Sequence, residues 1–204
     1  MRPDIILAFD TSAAHCAAAL LSGDRIWLKS EAMDKGQAER LMPLISELLT
    51  EAGVALADLT AIGVGTGPGN FTGVRIAVAA ARGLALGLGV PAIGVTRFEA
   101  AAFGLPRPVT VVEDARRGEV YVQRFEVDGP GDARIVAAEA LGAVEGAVAG
   151  QDGLQSLPIA EAIARITLTR LGTQQPRPAP FYLRGADAAP PSDPPPVILD
   201  LISP

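Results

Sequence analysis

The chain of 204 residues carries one cysteine, one histidine and one tryptophan, and aromatic residues make up only 4% of it. With Cys16 alone, no intrachain disulfide can close and no cysteine-based zinc site can be assembled. With His15 alone, no pair of histidine ligands exists, and any histidine-dependent triad would have to use that residue. No apolar run reaches the ~20 residues of a membrane helix. The leading apolar run stops at Phe9, which argues against a signal peptide. Basic residues are also in deficit: 17 Lys and Arg face 23 Asp and Glu, a net charge of −6. Phosphate contacts need a cationic surplus, so the chain by itself is a poor binder of nucleic acid. These absences predict a soluble, cytoplasmic protein without a metal centre.

The hydrophobic fraction is 49%, and 36 residues are alanine. A chain of this length can bury roughly 70% of its unfolded surface. Its core must be built from Ala, Leu, Val and Ile, with elements in close approach. Ile5 to Phe9, His15 to Leu21 and Arg25 to Ser30 read as three strands joined by tight turns, an antiparallel meander. Leu41, Leu44, Ile45, Leu48 and Ala52 then follow helical spacing, with Pro43 expected to kink or restart the helix. Ala61 to Thr66 is a further strand. A glycine-rich loop leads to Thr72 as the expected cap of a helix reaching about Leu88. Val90 to Val95 is a strand, and Thr96-Arg97-Phe98-Glu99 has the form of a capping box.

The second half begins the same way, with strands at Val109 to Glu113, Glu119 to Val127 and Ala133 to Ala137. Glu139 to Val148 reads as a helix, and another helix follows from about Pro158 to Leu171. The repeated element order implies a duplication with a shortened second copy. From Gln175 onward, 9 of the 17 prolines fall in 30 residues, the composition of an extended tail. Phe181 to Arg184 is apolar enough to dock on the body, and Val197 to Ile202 is a further apolar stretch in that tail.

Three places could carry chemistry. Asp10, Thr11 and Ser12 lie at the end of the first strand, where hydroxyls and backbone N–H groups can cradle a phosphate or simply cap a turn. Gly67 and Gly69 belong to a loop between a strand and a helix N-terminus, a natural anion position. That loop lacks the Gly-Lys-Ser/Thr of a phosphate-binding P-loop, so its glycines also read as packing devices. Asp114, with Arg116 and Arg117, is either the second half's phosphate-facing loop or a salt-bridged hairpin. His15 and Cys16 read as ordinary strand residues. The helix from Thr72 to Leu88 is apolar almost all round, which fits either burial or an interface. Ala79, Gly83 and Gly87 fall four apart and give a smooth seam, while Arg75 and Arg82 share a face.

Four motifs occur in order: Phe9-Asp10-Thr11-Ser12, Gly67-Pro68-Gly69-Asn70-Phe71-Thr72-Gly73-Val74-Arg75, Asp114-Ala115-Arg116-Arg117-Gly118-Glu119 and Tyr182-Leu183-Arg184. Together they closely resemble the bacterial TsaB (YeaZ) family, over Ile5 to about Arg184. The resemblance implies a duplicated actin-like (RNase H-like) α/β fold with a truncated second lobe: a lobe at 1–104, a smaller one at 105–185 and a tail at 186–204. It also implies a non-catalytic subunit in the synthesis of threonylcarbamoyladenosine in tRNA. The implied partners are a TsaD-type transferase and a TsaE-type ATPase, with tRNA reached only through the complex and a homodimer when the chain is alone. No cofactor of its own is implied, and ATP or ADP would bind at the complex interface. The family's dimer contact maps onto two helices, placing Gln37, Leu41, Leu44, Leu48, Arg75, Ala79, Arg82 and Gly83 at the interface. Many family members carry His where Gln37 stands, and sequence around Gly153 to Leu157 is apparently missing.

Two enzymatic readings compete. A stand-alone actin-like ATPase or kinase could use Asp10 and Asp114 as carboxylates, but needs a complete nucleotide pocket in the shortened lobe. A two-metal nuclease needs several acids around the first strand, and the strand Ala61 to Thr66 supplies none. The paired helical histidines of the TsaD type are also excluded, since position 37 is Gln and position 41 is Leu.

Overall fold

Burial on both faces decides the centre of the first sheet. β1 (Ile5–Asp10) and β2 (His15–Ser22) are runs of small and branched apolar residues, as strands covered on both sides must be. They pair antiparallel, and β3 (Arg25–Ala32) completes the meander. β4 (Ala61–Gly65) joins β1 in parallel and β5 (Ala92–Val95) joins β4, giving the order β3-β2-β1-β4-β5. The computed structural model describes residues 3–142, 144, 146–150, 154 and 157–183.

Two helices, α1 (Gln37–Ala52) and α2 (Phe71–Leu88), cover one face of this sheet. There Leu7, Phe9 and Leu20 meet Leu41, Leu44, Leu48, Val74 and Ala81. Pro43 does not interrupt α1, contrary to expectation. It is exposed, and the carbonyl it leaves unbonded belongs to exposed Glu39, so water satisfies that group. α2 is apolar and long enough to cross a membrane by length and composition, yet one side of it lies in the core.

The second sheet repeats the first. β6 (Val109–Arg116) pairs antiparallel with β7 (Glu119–Phe125), which pairs with β8 (Arg134–Ala137), while β9 (Ala147–Gly150) runs parallel to β6. The order β8-β7-β6-β9 matches β3-β2-β1-β4, so the duplication read from element order is present. The helix expected over Glu139 to Val148 is not there. A single 3₁₀ turn at Ala138–Ala140 stands in its place, and the chain re-enters the sheet as β9. Gly142 and Gly146, at φ 64° and 90°, adopt left-handed backbone that a right-handed helix does not use.

The short α3 (Arg97–Ala102) opens with the expected Thr96/Glu99 capping box and lies against β6 and β9. α4 (Ile159–Arg170) packs on β1, β2 and β4, the uncovered face of the first sheet. The helix follows the second sheet in the chain yet covers the first. Ile6, Ala8 and Ala19 would otherwise face water, and Ile163 and Ala164 cover them. Gly63 makes the approach possible, since a Cβ there would lie 2.3 Å from Thr167 Oγ1. The tail at 186–204 lies outside the described residues.

Truncating Ile163, which is 1% exposed, to alanine should cost about 2–5 kcal/mol through lost burial and the cavity left behind. Urea denaturation of Ile163→Ala should show this as an earlier loss of the first-sheet signal from Trp27. An unshifted midpoint would mean that α4 contributes nothing to that sheet.

Candidate functional site

The site is built where β1 ends. Strand parity places Asp10 and His15 on the same face, the face that α4 covers. Asp10 is fully buried. Its Oδ1 accepts from the Ser12 backbone N–H at 3.0 Å and the Ser12 hydroxyl at 2.9 Å, and lies 2.7 Å from His15 Nε2. Its Oδ2 has no partner among the described residues and faces Gly65, where a Cβ would stand 1.9 Å away. Burial alone would raise the pKa of this carboxyl. The hydrogen bond and charge of His15, then the charge of Arg97 and the Ser12 N–H, outweigh it and hold the group below its ordinary value of 3.8.

The loop from β4 to α2 closes down on this hairpin. Asn70 N–H donates to Ser12 O at 2.6 Å, and the Thr11 hydroxyl donates to Gly73 O at 2.7 Å. Only glycine fits at 73, because a Cβ would lie 1.9 Å from Thr11 O. Gly69 approaches Ser12 O in the same way. Asn70 caps α2: its side-chain oxygen accepts from the N–H groups of Thr72 and Gly73 at 3.0 and 3.1 Å. The cap is thus Asn70 and not Thr72, and the anion position at this helix terminus is already filled.

Between the two sheets opens a cleft of about 1090 Å³. His15 and Ser12 face it from the first sheet, and Glu113, Asp114 and Arg116 from the second. Arg97 spans the gap, its Nη2 donating to Glu113 Oε2 at 2.6 Å, while its Nε is buried without a partner among the described residues. Arg116 and Arg117, at φ 63° and 57°, hold the β6–β7 hairpin in left-handed backbone at the rim. For side chains other than glycine this costs of order 1–3 kcal/mol per residue. Phe181 and Tyr182 close one wall, anchored by Phe181 N–H donating to Thr66 O at 2.8 Å.

Comparison with known proteins agrees with this architecture. A family model described as TsaD, tRNA N6-adenosine threonylcarbamoyltransferase, matches residues 31–190. The solved structure titled YeaZ from Pseudomonas aeruginosa superposes with a TM-score of 0.72 at 30% identity, over 88% of this chain and 100% of that one. The chain belongs to the TsaB (YeaZ) family. An Escherichia coli protein named tRNA threonylcarbamoyladenosine biosynthesis protein TsaB is 38% identical over 131 residues, 62% of this chain and 57% of that one. The chain thus spans little more than half the length of the TsaB relatives it matches first. An uncharacterised Mycobacterium tuberculosis protein is 34% identical over 91% of this chain and 94% of its own length.

Within this TsaB-family fold, the residues singled out for phosphate divide into two levels. Buried Ser12, half-buried Gly69 and exposed Asp114 line the cleft, whereas Asp10, Thr11 and Gly67 are buried and do not line it. Asp114 is not the counterpart of Asp10, since the buried acid of the second sheet is Glu113. His15, Arg97 and Glu113 escaped the sequence reading. His15 could have been found by parity, since it shares a strand face with Asp10 across a four-residue loop. Its neighbour Cys16 points into the core, where burial pushes its thiol up to about 11 and keeps it protonated.

The interface residues also divide. Leu41, Leu44 and Leu48 are at most 1% exposed and fill the core beneath α1, so they form no surface; this corrects their assignment to an interface. Gln37 is likewise buried, its Nε2 donating to Met33 O at 3.0 Å. Ala79, Gly83 and Arg75 lie on the outer face of α2, with half-buried Arg82 beside them. Nothing lies within 4 Å of a Cβ built on Gly83.

A carboxyl whose pKa is lowered in the fold stabilises the fold fully above its unfolded value of about 3.8, and the gain is lost as pH falls below that. Urea midpoints measured from pH 6 down to pH 2 should therefore fall steeply at the acid end. Asp10→Asn should flatten that segment of the curve relative to the parent protein, and parallel curves would remove Asp10 as its cause.

Proposed function

We propose that this chain is the non-catalytic, partner-stabilising subunit in the synthesis of threonylcarbamoyladenosine in tRNA, pairing with a TsaD-type transferase. The observation that carries the reading is the outer face of α2. Ala79 and Gly83 are exposed there with no covering element among the described residues, and Leu86 is 85% exposed. A soluble protein gains by covering such a face, and small residues let another helix approach closely. The TsaB names of its relatives and the match to the TsaD family model indicate which partner. The net charge of −6 fits a subunit that works in the cytoplasm and reaches tRNA only through its complex. A TsaE-type ATPase joins that complex, and ATP or ADP binds at its interface rather than in this chain alone. Without the transferase, the same α2 face supports a homodimer.

The competing reading is a stand-alone actin-like ATPase. Its phosphate cradle would be the β1–β2 hairpin and the N-terminus of α2. Asp10 is already engaged by Ser12 and His15, and the first N–H groups of α2 by Asn70. That occupancy weighs against a nucleotide phosphate seated there.

Mixing the chain with its cognate TsaD-type protein should give a one-to-one complex at micromolar concentration by size exclusion with light scattering. Ala79→Leu and Gly83→Leu should each weaken it about tenfold or more. The Gly83→Leu monomer should melt no lower than the parent, since the position is open and leucine is a better helix former than glycine, and Ala79→Leu, at an exposed position, should cost the monomer no more than about 0.5 kcal/mol. Failure to form any complex, with ATP turnover above a mock preparation, would put the ATPase reading first.

A further inference from the structure

Arg75 and Arg82 lie seven residues apart on α2, hence on one face and about 10 Å apart along the axis. Both are gripped by the segment after α4. Arg75 Nε donates to the Tyr182 hydroxyl at 2.9 Å, and Arg82 Nε donates to Pro178 O at 2.7 Å. Arg75 is also stacked, with its guanidinium carbon 3.6 Å from the centre of the Phe71 ring. Phe71 and Tyr182 pack with centroids 5.1 Å apart, and each remains 42% exposed. In both arginines the bond uses Nε alone. Among the described residues, neither pair of terminal nitrogens makes a hydrogen bond or an ion pair.

An arginine fixed through Nε and by stacking has already lost most of its rotamer freedom. What it still offers is the planar Nη1/Nη2 edge, which matches a carboxylate in two parallel hydrogen bonds. The helix that carries the two arginines contains no Asp or Glu, although the whole chain has a net charge of −6. The outer face of α2 is therefore a local cationic strip on an acidic molecule, flanked by the exposed aromatic pair at one end and Leu86 at the other. Exposed aromatics beside an arginine are the composition of a binding hot spot.

We propose that Arg75 and Arg82 form a two-point carboxylate receptor, and that the helix docking on α2 is acidic, with Asp or Glu side chains about two turns apart on its contact face. The proposal rests on the reading that α2 is the transferase-facing surface, and it adds the chemistry of the partner. The segment Pro178 to Tyr182 is then part of the interface, since it holds both arginines in position.

The test is the affinity of the full chain for the cognate TsaD-type protein. Arg75→Gln and Arg82→Gln should each weaken binding about tenfold and together about a hundredfold. The parent complex should weaken severalfold between 50 and 300 mM salt, as screening of partly exposed charges requires. Should the Gln variants melt early, Arg75→Lys decides: it keeps the charge, loses the planar edge, and should still bind at least fivefold more weakly. Binding within twofold of the parent for both Gln variants, or full rescue by Arg75→Lys, overturns the receptor. If Ala79→Leu breaks the complex in that same experiment, the subunit reading survives the loss. Substitutions that instead dissociate a homodimer, or abolish binding of tRNA alone, while sparing the transferase complex also overturn it.

Discussion

The contact between the β1–β2 hairpin and the β4–α2 loop governs the rest of the molecule. Two hydrogen bonds make it, Asn70 N–H to Ser12 O and the Thr11 hydroxyl to Gly73 O, across a gap too narrow for any Cβ at residues 69 and 73. Because the Thr11–Gly73 bond is buried, leaving it unmade would cost the full desolvation of its partner. The contact fixes where α2 begins, and so which residues of α2 face the sheet and which face outward. It also brings Asn70 over the helix N-terminus and Ser12 to the cleft. The cleft floor and the exposed seam of α2 are two consequences of one close approach.

A second constraint ties the two sheets together. Arg97, at the start of α3, donates its backbone N–H to Gly67 O on one side and its guanidinium to Glu113 on the other. Arg170 of α4 pairs with Glu99 of the same short helix. α3 thus acts as a charged rivet between a sheet that carries five strands and one that carries four. The Asp10–His15 pair lies beside it, and the positive charge of Arg97 helps keep Asp10 ionised despite burial. Asp10 Oδ1, the Ser12 hydroxyl and Glu113 Oε2 are engaged within the protein, while Asp10 Oδ2 and Arg97 Nε are buried without a partner among the described residues.

Within that frame, α2 carries two roles on opposite faces. Val74, Ala77, Val78 and Ala81 supply its share of the core, while Arg75, Ala79 and Gly83 stay outside. Alanine-rich composition makes this economical in space: small side chains let the helix lie close to the sheet and leave the outer face smooth. The segment from Pro178 to Tyr182 crosses the arginines of that outer face and continues into the cleft wall, so the surface and the cleft share one structural support.

Much of this was legible in the residues themselves. The continuous apolar runs of β1 and β2, the alternation of β3, the helical spacing of α1 and the capping box at Thr96 follow from local rules, because each depends on neighbours within a few positions. The apolar α2 also announced itself as either core or interface. Local rules failed where two segments distant in sequence compete for one space. The residues from Glu139 to Val148 read as helix, but the sheet edge beside β6 claimed their end as β9, and Gly142 and Gly146 adopt left-handed backbone that a right-handed helix does not use. The family resemblance grouped Leu41, Leu44 and Leu48 with the interface, although a helix lying on a sheet must bury that stripe. The sequence by itself determined the family and every strand and α-helix except those between Glu139 and Gly150, since these rest on periodicity and motif. Only the tertiary structure decided that α4 crosses back to the first sheet, that His15 and Arg97 hold Asp10, and that Arg75 and Arg82 are gripped from a hundred residues away. Those outcomes depend on which distant surfaces bury each other, and no short-range pattern encodes that.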